Sequence, residues 1–189
     1  MLVRAFCVLA LCLTPVAVRA ADEDNPYKSA RVGDFASYKL TTKIGTLSID
    51  GTLVQTVTDK SDKEATIHLV GSASLAGDKK DVERTQKVDL TKPFDPTKSG
   101  IIPGGGDTKV EKLKEGKEKI KVGGKEYDAT WTTYKTKAKA LGADVDGDMK
   151  VWVAKGVPSG LVKMSIRAKL AGQDMDVLLE LTESGNKKK

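Results

Sequence analysis

The chain has 189 residues, and its net charge is only +6 although 31% of its residues are charged, because lysines and acids are interspersed. Its two cysteines, Cys7 and Cys12, both stand near the N-terminus. The rest of the chain therefore has no thiol for a zinc-thiolate site, a nucleophile or an iron–sulfur cluster. Aromatic residues make up 5% of the chain, too few to interleave with basic residues as a nucleic-acid-binding sheet requires, so no nucleic-acid partner is expected.

The N-terminus reads as a secretory leader. Arg4 opens it, an apolar run follows from Ala5 to Leu13, and Val18-Arg19-Ala20 puts short side chains before the expected cut. The run is too short for a spanning helix. Residues 1–20 are expected to be a signal peptide, 21–31 an acidic leader, 32–185 a single β domain and 186–189 a basic tail. The product is expected in the periplasm or outside the cell, with no transmembrane span once the signal is removed. Cys7 follows Phe6 and Cys12 follows Leu11, so neither has the small preceding residue of a lipoprotein anchor. About 170 mature residues can bury on the order of 70% of their unfolded surface without disulfides.

After Val32-Gly33-Asp34 a first strand carries Tyr38, Leu40, Thr42 and Ile44 on one face. Gly45 ends it, and a second strand covers Leu47–Thr58, with a bend or bulge expected at Gly51. A third covers Ala65–Leu75 with Ala65, Ile67, Leu69, Gly71 and Ala73 inward. Asp81–Leu90 is less apolar and is expected at an edge. Lys92–Gly106 holds three prolines and four glycines and reads as loop. Its triple glycine is not followed by the Gly-Lys-Ser/Thr of a phosphate cradle. Thr108 with Glu111 reads as a capping box for a short helix through Lys114. Lys117–Val122 and Glu126–Lys137 are the fifth and sixth strands around the turn Gly123-Gly124, with Tyr127, Ala129 and Trp131 on one face.

Asp144, Asp146 and Asp148 alternate as calcium ligands do, but Met149 and Lys155 stand where a calcium loop needs glycine and glutamate. Asp146-Gly147 is read instead as a hairpin turn between two strands, with weak calcium binding as the alternative. No metal or cofactor is called for. His68, the single histidine, sits mid-strand between Thr66 and Val70 and reads as structural. No serine stands on a nucleophile elbow, and the paired carboxylates lie on wet faces where nothing separates their pKa values. No catalytic residue is named, and no enzyme is expected.

The C-terminal third is the most regular. Met149–Ala154 is a short strand carrying Trp152, stopped by Gly156 and Pro158. Val162, Met164, Ile166, Ala168 and Leu170 then alternate with polar residues, and Met175, Val177, Leu179 and Leu181 do the same after Ala171-Gly172. Period two means strands with one buried face. A reversal at Ala171-Gly172 predicts Ile166 opposite Val177, Met164 opposite Leu179, Arg167 opposite Asp176 and Lys163 opposite Glu180, which satisfies both faces together. The expected fold is mainly β: one strongly curved antiparallel sheet or half-barrel of about nine strands, with at most one or two short helices.

Val151-Trp152-Val153-Ala154-Lys155-Gly156-Val157-Pro158-Ser159-Gly160-Leu161-Val162-Lys163-Met164, followed by a strand, Gly172 and another strand, resembles bacterial envelope proteins of the lipoprotein-carrier and lipoprotein-sorting type. Val32-Gly33-Asp34-Phe35 and Gly124-Lys125-Glu126-Tyr127 look like elements of related secreted proteins. The resemblance covers about a third of the chain. It implies an open curved sheet whose concave apolar face holds acyl chains or a lipoprotein, although those carriers cap the face with helices that this sequence does not offer. Two functions follow. Either an apolar ligand, lipid or lipoprotein lies on the concave face, lined by Tyr127, Trp131, Trp152 and Met164, or the face is filled core and the protein is a structural or interaction component of the envelope. Uncovered apolar side chains at Trp131, Trp152 and Met164 would favour the first. Oligomeric state is not legible.

Overall fold

The computed structural model describes residues 25–75, 78–94, 109–140, 143–170 and 172–187. Its strands are β1 (Asp34–Ile44), β2 (Leu47–Lys60), β3 (Glu64–Leu75), β4 (Asp78–Asp89), β5 (Lys109–Val122), β6 (Lys125–Ala140), β7 (Ala143–Ala154), β8 (Leu161–Leu170) and β9 (Gln173–Asn186). All nine form one open antiparallel sheet, in the order β4-β3-β2-β1-β9-β8-β7-β6-β5. Neighbours in space are neighbours in sequence except at one seam, where the first strand lies beside the last. The low-apolar strand β4 is at an edge, as its composition implies, and β5 is the other edge.

The C-terminal hairpin has the predicted register: Ile166 pairs with Val177, Met164 with Leu179, Arg167 with Asp176, and Lys163 with Glu180. Gly172 makes the reversal at φ +81°, a conformation that costs glycine nothing.

Three local expectations fail. No helix opens β5; Lys109–Lys112 already pair with Tyr134–Lys137. Val110 packs against the core, and a full cross-strand ladder outweighs a two-turn helix supported by one cap. Thr108 itself lies outside the described residues. Nor is Asp146-Gly147 a turn. It lies inside β7, where Gly147 pairs with both Thr136 and Ala168. A Cβ on Gly147 would stand 2.7 Å from the Arg167 carbonyl oxygen and 2.8 Å from the Ala168 Cβ, so the glycine admits a close approach of β8. Gly51 behaves similarly. The register beside it is unbroken, and the β2–β3 irregularity falls instead between Val57 and Asp59.

Residues directly opposite each other share a face of the sheet. One ladder runs Gly51, Leu40, Leu179, Met164, Val151, Thr132. This is the inner face. The adjacent ladder runs Thr52, Lys39, Glu180, Lys163, Trp152, Trp131, Gly116 and is the outer face. The hairpin tip between β5 and β6 returns onto β9: a Cβ on Gly123 would be 2.8 Å from the Leu181 carbonyl oxygen. Ile120, Val122 and Tyr127 stand in step along their strands with the outer-face residues Gly116 and Trp131, yet at the returning tip they join the cluster built on Tyr38, Met164 and Leu181.

A second cluster joins Val57, Ala65, Ile67 and Leu69 to Tyr27 and Leu90. Tyr27 belongs to the stretch counted with the acidic leader, yet it is only 1% exposed. The reason is local. Asn25 accepts from the Tyr27 N–H at 3.2 Å and its amide donates to the carbonyls of Asp89 and Lys92, which sets a short 3-10 turn at Pro26–Lys28. Lys60 then donates to the carbonyls of Lys28 and Ala30 at 2.5 and 2.6 Å. Residues 25–30 are thereby tied to the inner face of β2 and β3.

Candidate functional site

The inner face is covered by the chain itself. From one side comes Tyr27, whose hydroxyl donates to Gln55 Oε1 at 2.9 Å. From the other comes the turn between β7 and β8, where the Tyr38 hydroxyl donates to the Leu161 carbonyl at 3.1 Å and is hydrogen-bonded to Ser159 Oγ. Ser159 Oγ also accepts from the Leu161 N–H at 3.2 Å. Gly160 at φ +71° brings this turn against Pro26, so the two covering pieces touch. The crevice left between Tyr27, Gln55, Val57, Ile67 and Pro158 has no room for a water molecule. Burial pushes the pKa of both Tyr27 and Tyr38 well above the ordinary tyrosine value.

Of the four residues expected to line an apolar cavity, Met164 is in this core, 1% exposed. Tyr127 is half-buried beside Ile120 near the β5–β6 tip. Trp131 and Trp152 are paired with each other, but on the outer face with Lys163. The four therefore share no single lining. The signal was present in the parity of β7, where Met149, Val151 and Val153 form the apolar set and Trp152 keeps step with Lys150 and Asp148.

The tryptophan pair is itself occupied. The Lys150 ammonium lies 4.5 Å from the Trp131 ring centre and 4.4 Å from that of Trp152, and Lys163 adds a more distant contact at 5.8 Å. Glu118 receives a hydrogen bond from the Trp152 indole N–H and lies 3.1 Å from Lys150 Nζ. Those bonds, the indole's first, hold the Glu118 carboxyl below its usual pKa. Trp131 packs against Gly116, where a Cβ would come within 2.6 Å of the ring. This is an aromatic–cation–carboxylate stack that pins β5 to β7 across β6.

An open groove of about 400 Å³ crosses the outer face of β1, β9 and β8. Lys39, Lys43 and Arg167 line it together with Asp176 and Glu180, so its charges are mixed. Arg167 stands 3.6 Å from Asp176, and Lys163 2.7 Å from Glu180. His68 is hydrogen-bonded to Glu83 at 2.7 Å on the outer face of β3 and β4, a surface pair. Asp148 is engaged by Lys135 at 2.7 Å, and the side chain of Asp144 lies outside the described residues. Among the described residues no group of three or more histidines, cysteines or acids is placed to hold a metal ion. No helix among them is long and apolar enough to cross a membrane.

No family model and no curated protein matches the chain. Solved structures do resemble it. A Bacteroides fragilis protein described as exported, with a YmcC-like fold, is 10% identical at a TM-score of 0.47, covering 82% of this chain and 97% of that one. A Parabacteroides distasonis protein described as a lipoprotein is 8% identical at 0.45, covering 82% and 96%. A domain from Vibrio parahaemolyticus described as outer-membrane lipoprotein-sorting is 9% identical at 0.30, covering 88% and 90%. These neighbours are of the exported and lipoprotein-sorting type that the sequence resembles.

Proposed function

We propose that this protein is an exported, non-catalytic component of the cell envelope that acts by interaction, with its concave face filled by its own core. One observation carries this: Tyr38, Met164, Leu179 and Leu181 are each 1% exposed in a cluster closed by Val157 and Leu161 of the β7–β8 turn and by Ile120, Val122 and Tyr127 of the β5–β6 hairpin, while Tyr27 closes over Val57, Ala65, Ile67 and Leu69. An acyl chain on that face would first have to displace these covering pieces and break the Tyr27–Gln55 and Tyr38–Ser159–Leu161 hydrogen bonds. Export is supported by the leader at residues 1–20. The non-catalytic part is supported by the pairing of His68 with Glu83 and of Glu118 with Lys150 and Trp152, which hold these groups in hydrogen-bonded surface pairs rather than in a substrate cleft.

The test is lipid capture. Protein purified from its own envelope and sprayed under native conditions should carry no lipid mass, and lipid extracts of it should be blank. Fatty acids and phospholipids should leave the tryptophan emission unchanged. Stoichiometric lipid in the native mass spectrum would overturn the filled-face reading in favour of a lipid or lipoprotein carrier.

A further inference from the structure

We propose that the β4 edge pairs antiparallel with the β4 edge of a second copy of this chain, with the two-fold axis at Thr85. The inference is independent of whether the inner face is filled.

The two edges of the sheet differ. β5 is guarded in the usual ways: lysines at 109, 112, 114, 117, 119 and 121, and a bulge between Lys112 and Lys114 that breaks its alternation. β4 also carries cations, at Lys79, Lys80, Arg84 and Lys87, but it has neither proline nor glycine, and its ladder with β3 runs without a register shift from Leu75 opposite Asp78 to Glu64 opposite Asp89. Among the described residues nothing pairs with its outer side. It also carries Val82, which at 63% is the most exposed of the exposed large apolar side chains. An even, unbroken edge with an uncovered valine is a template for another strand.

Symmetry restricts how two copies can meet. An axis perpendicular to the sheet brings one residue opposite itself, and residues equally spaced before and after it then face each other. With Val82 on the axis, Asp81 meets Glu83 and Lys80 meets Arg84. With Glu83 or Arg84 there, a charge meets its own copy, and with Gln86, Glu83 meets Asp89. With Thr85 on the axis, Arg84 faces Gln86, Glu83 faces Lys87, and Val82 faces Val88, each pair occurring twice. Only Asp81 and Asp89 then meet as like charges, at the ends of the ladder. Both are already held, Asp81 by Lys79 at 3.3 Å and Asp89 by Lys92 at 3.0 Å. The faces also agree. Val82 and Val88 stand opposite Gly71 and Ala65, on the inner side, and Val88 already packs against the second cluster. The contact thus extends that cluster across the axis and covers Val82.

Sedimentation analysis of the purified protein tests this, with circular dichroism to show that each variant is folded. The wild-type chain should reach a dimer as concentration rises. Glu83→Lys and Lys87→Glu should each weaken it by ~tenfold or more, because each sets like charges opposite twice. The double swap E83K/K87E should restore it. In a C7S/C12S background, oxidised Thr85→Cys should give a disulfide-linked dimer, and Gln86→Cys, one residue off the axis, should not. A chain that stays monomeric would overturn the proposal. So would a dimer indifferent to the single swaps, or one that the double swap fails to restore.

Discussion

Tyr38 and Tyr27 are the residues on which the covered face depends, and each buries a hydroxyl that has found a partner. Tyr38→Phe leaves the Leu161 carbonyl and the Ser159 hydroxyl short of a partner in a dry site. We expect a loss of about 1–3 kcal/mol in urea unfolding. The same two residues set an alkaline limit. Their pKa values are raised in the fold, so above pH ~10 the unfolded chain gives up protons that the native state keeps, and stability falls as pH rises. The double variant Y27F/Y38F should be less stable at neutral pH and lose less of its stability between neutral and high pH. The acid side is set differently. Glu118 has a depressed pKa, so its contribution is present above the ordinary carboxylate pKa and is lost as pH falls through its lower folded value. Tryptophan emission should change there, and Glu118→Gln should abolish the change.

At the scale of the strand, the sequence was most legible where two alternations constrained each other. The β8–β9 register follows from five apolar and four polar positions facing four apolar and several acidic ones, and a slip of one residue would violate both faces. Trp131 and Trp152 were less legible because an indole counts as apolar by composition. It can equally lie along the outer face, where its N–H meets a carboxylate and its ring a lysine. Asp146-Gly147 misled for a related reason. Glycine favours turns through its φ freedom, but at 147 it is chosen for its missing side chain. Gly147→Ala should therefore destabilise the protein by about 1–3 kcal/mol, as overpacking does, measured by thermal or urea unfolding. If the position were a turn, the same change would instead act through φ. Removing divalent ions with a chelator should leave the melting temperature unchanged, since Asp148 is held by Lys135.

For the whole molecule, the strand count, the mainly β character of the described residues and the edge position of β4 could all be read from composition and period. The covering of the inner face could not. It depends on Asn25, Tyr27, Ser159 and Gly160, which come from widely separated parts of the chain and show no periodicity. The seam between β1 and β9 was hidden for the same reason, since nothing local in Asp34–Ile44 announces a partner at Gln173–Asn186.

That seam has a consequence for how the molecule comes into being. Asp34 sits opposite Asn186, and the Lys187 N–H donates to the Gly33 carbonyl at 2.9 Å. The sheet thus closes its sequence order on itself, and its first and last strands meet in the middle. Strands 1–4 and 5–8 can each zip up as they emerge, through hairpins that close short loops. They become one body only when the fourteen residues of β9 arrive, and contacts of such long range are slow to form. Synthesis that halts before β9 would leave two half-sheets with Tyr38 and Met164 open to water, a substrate for proteases and for aggregation. Conversely, a permuted gene that joins the two ends and opens the chain at Gly123-Gly124 would turn the last step of assembly into a local one.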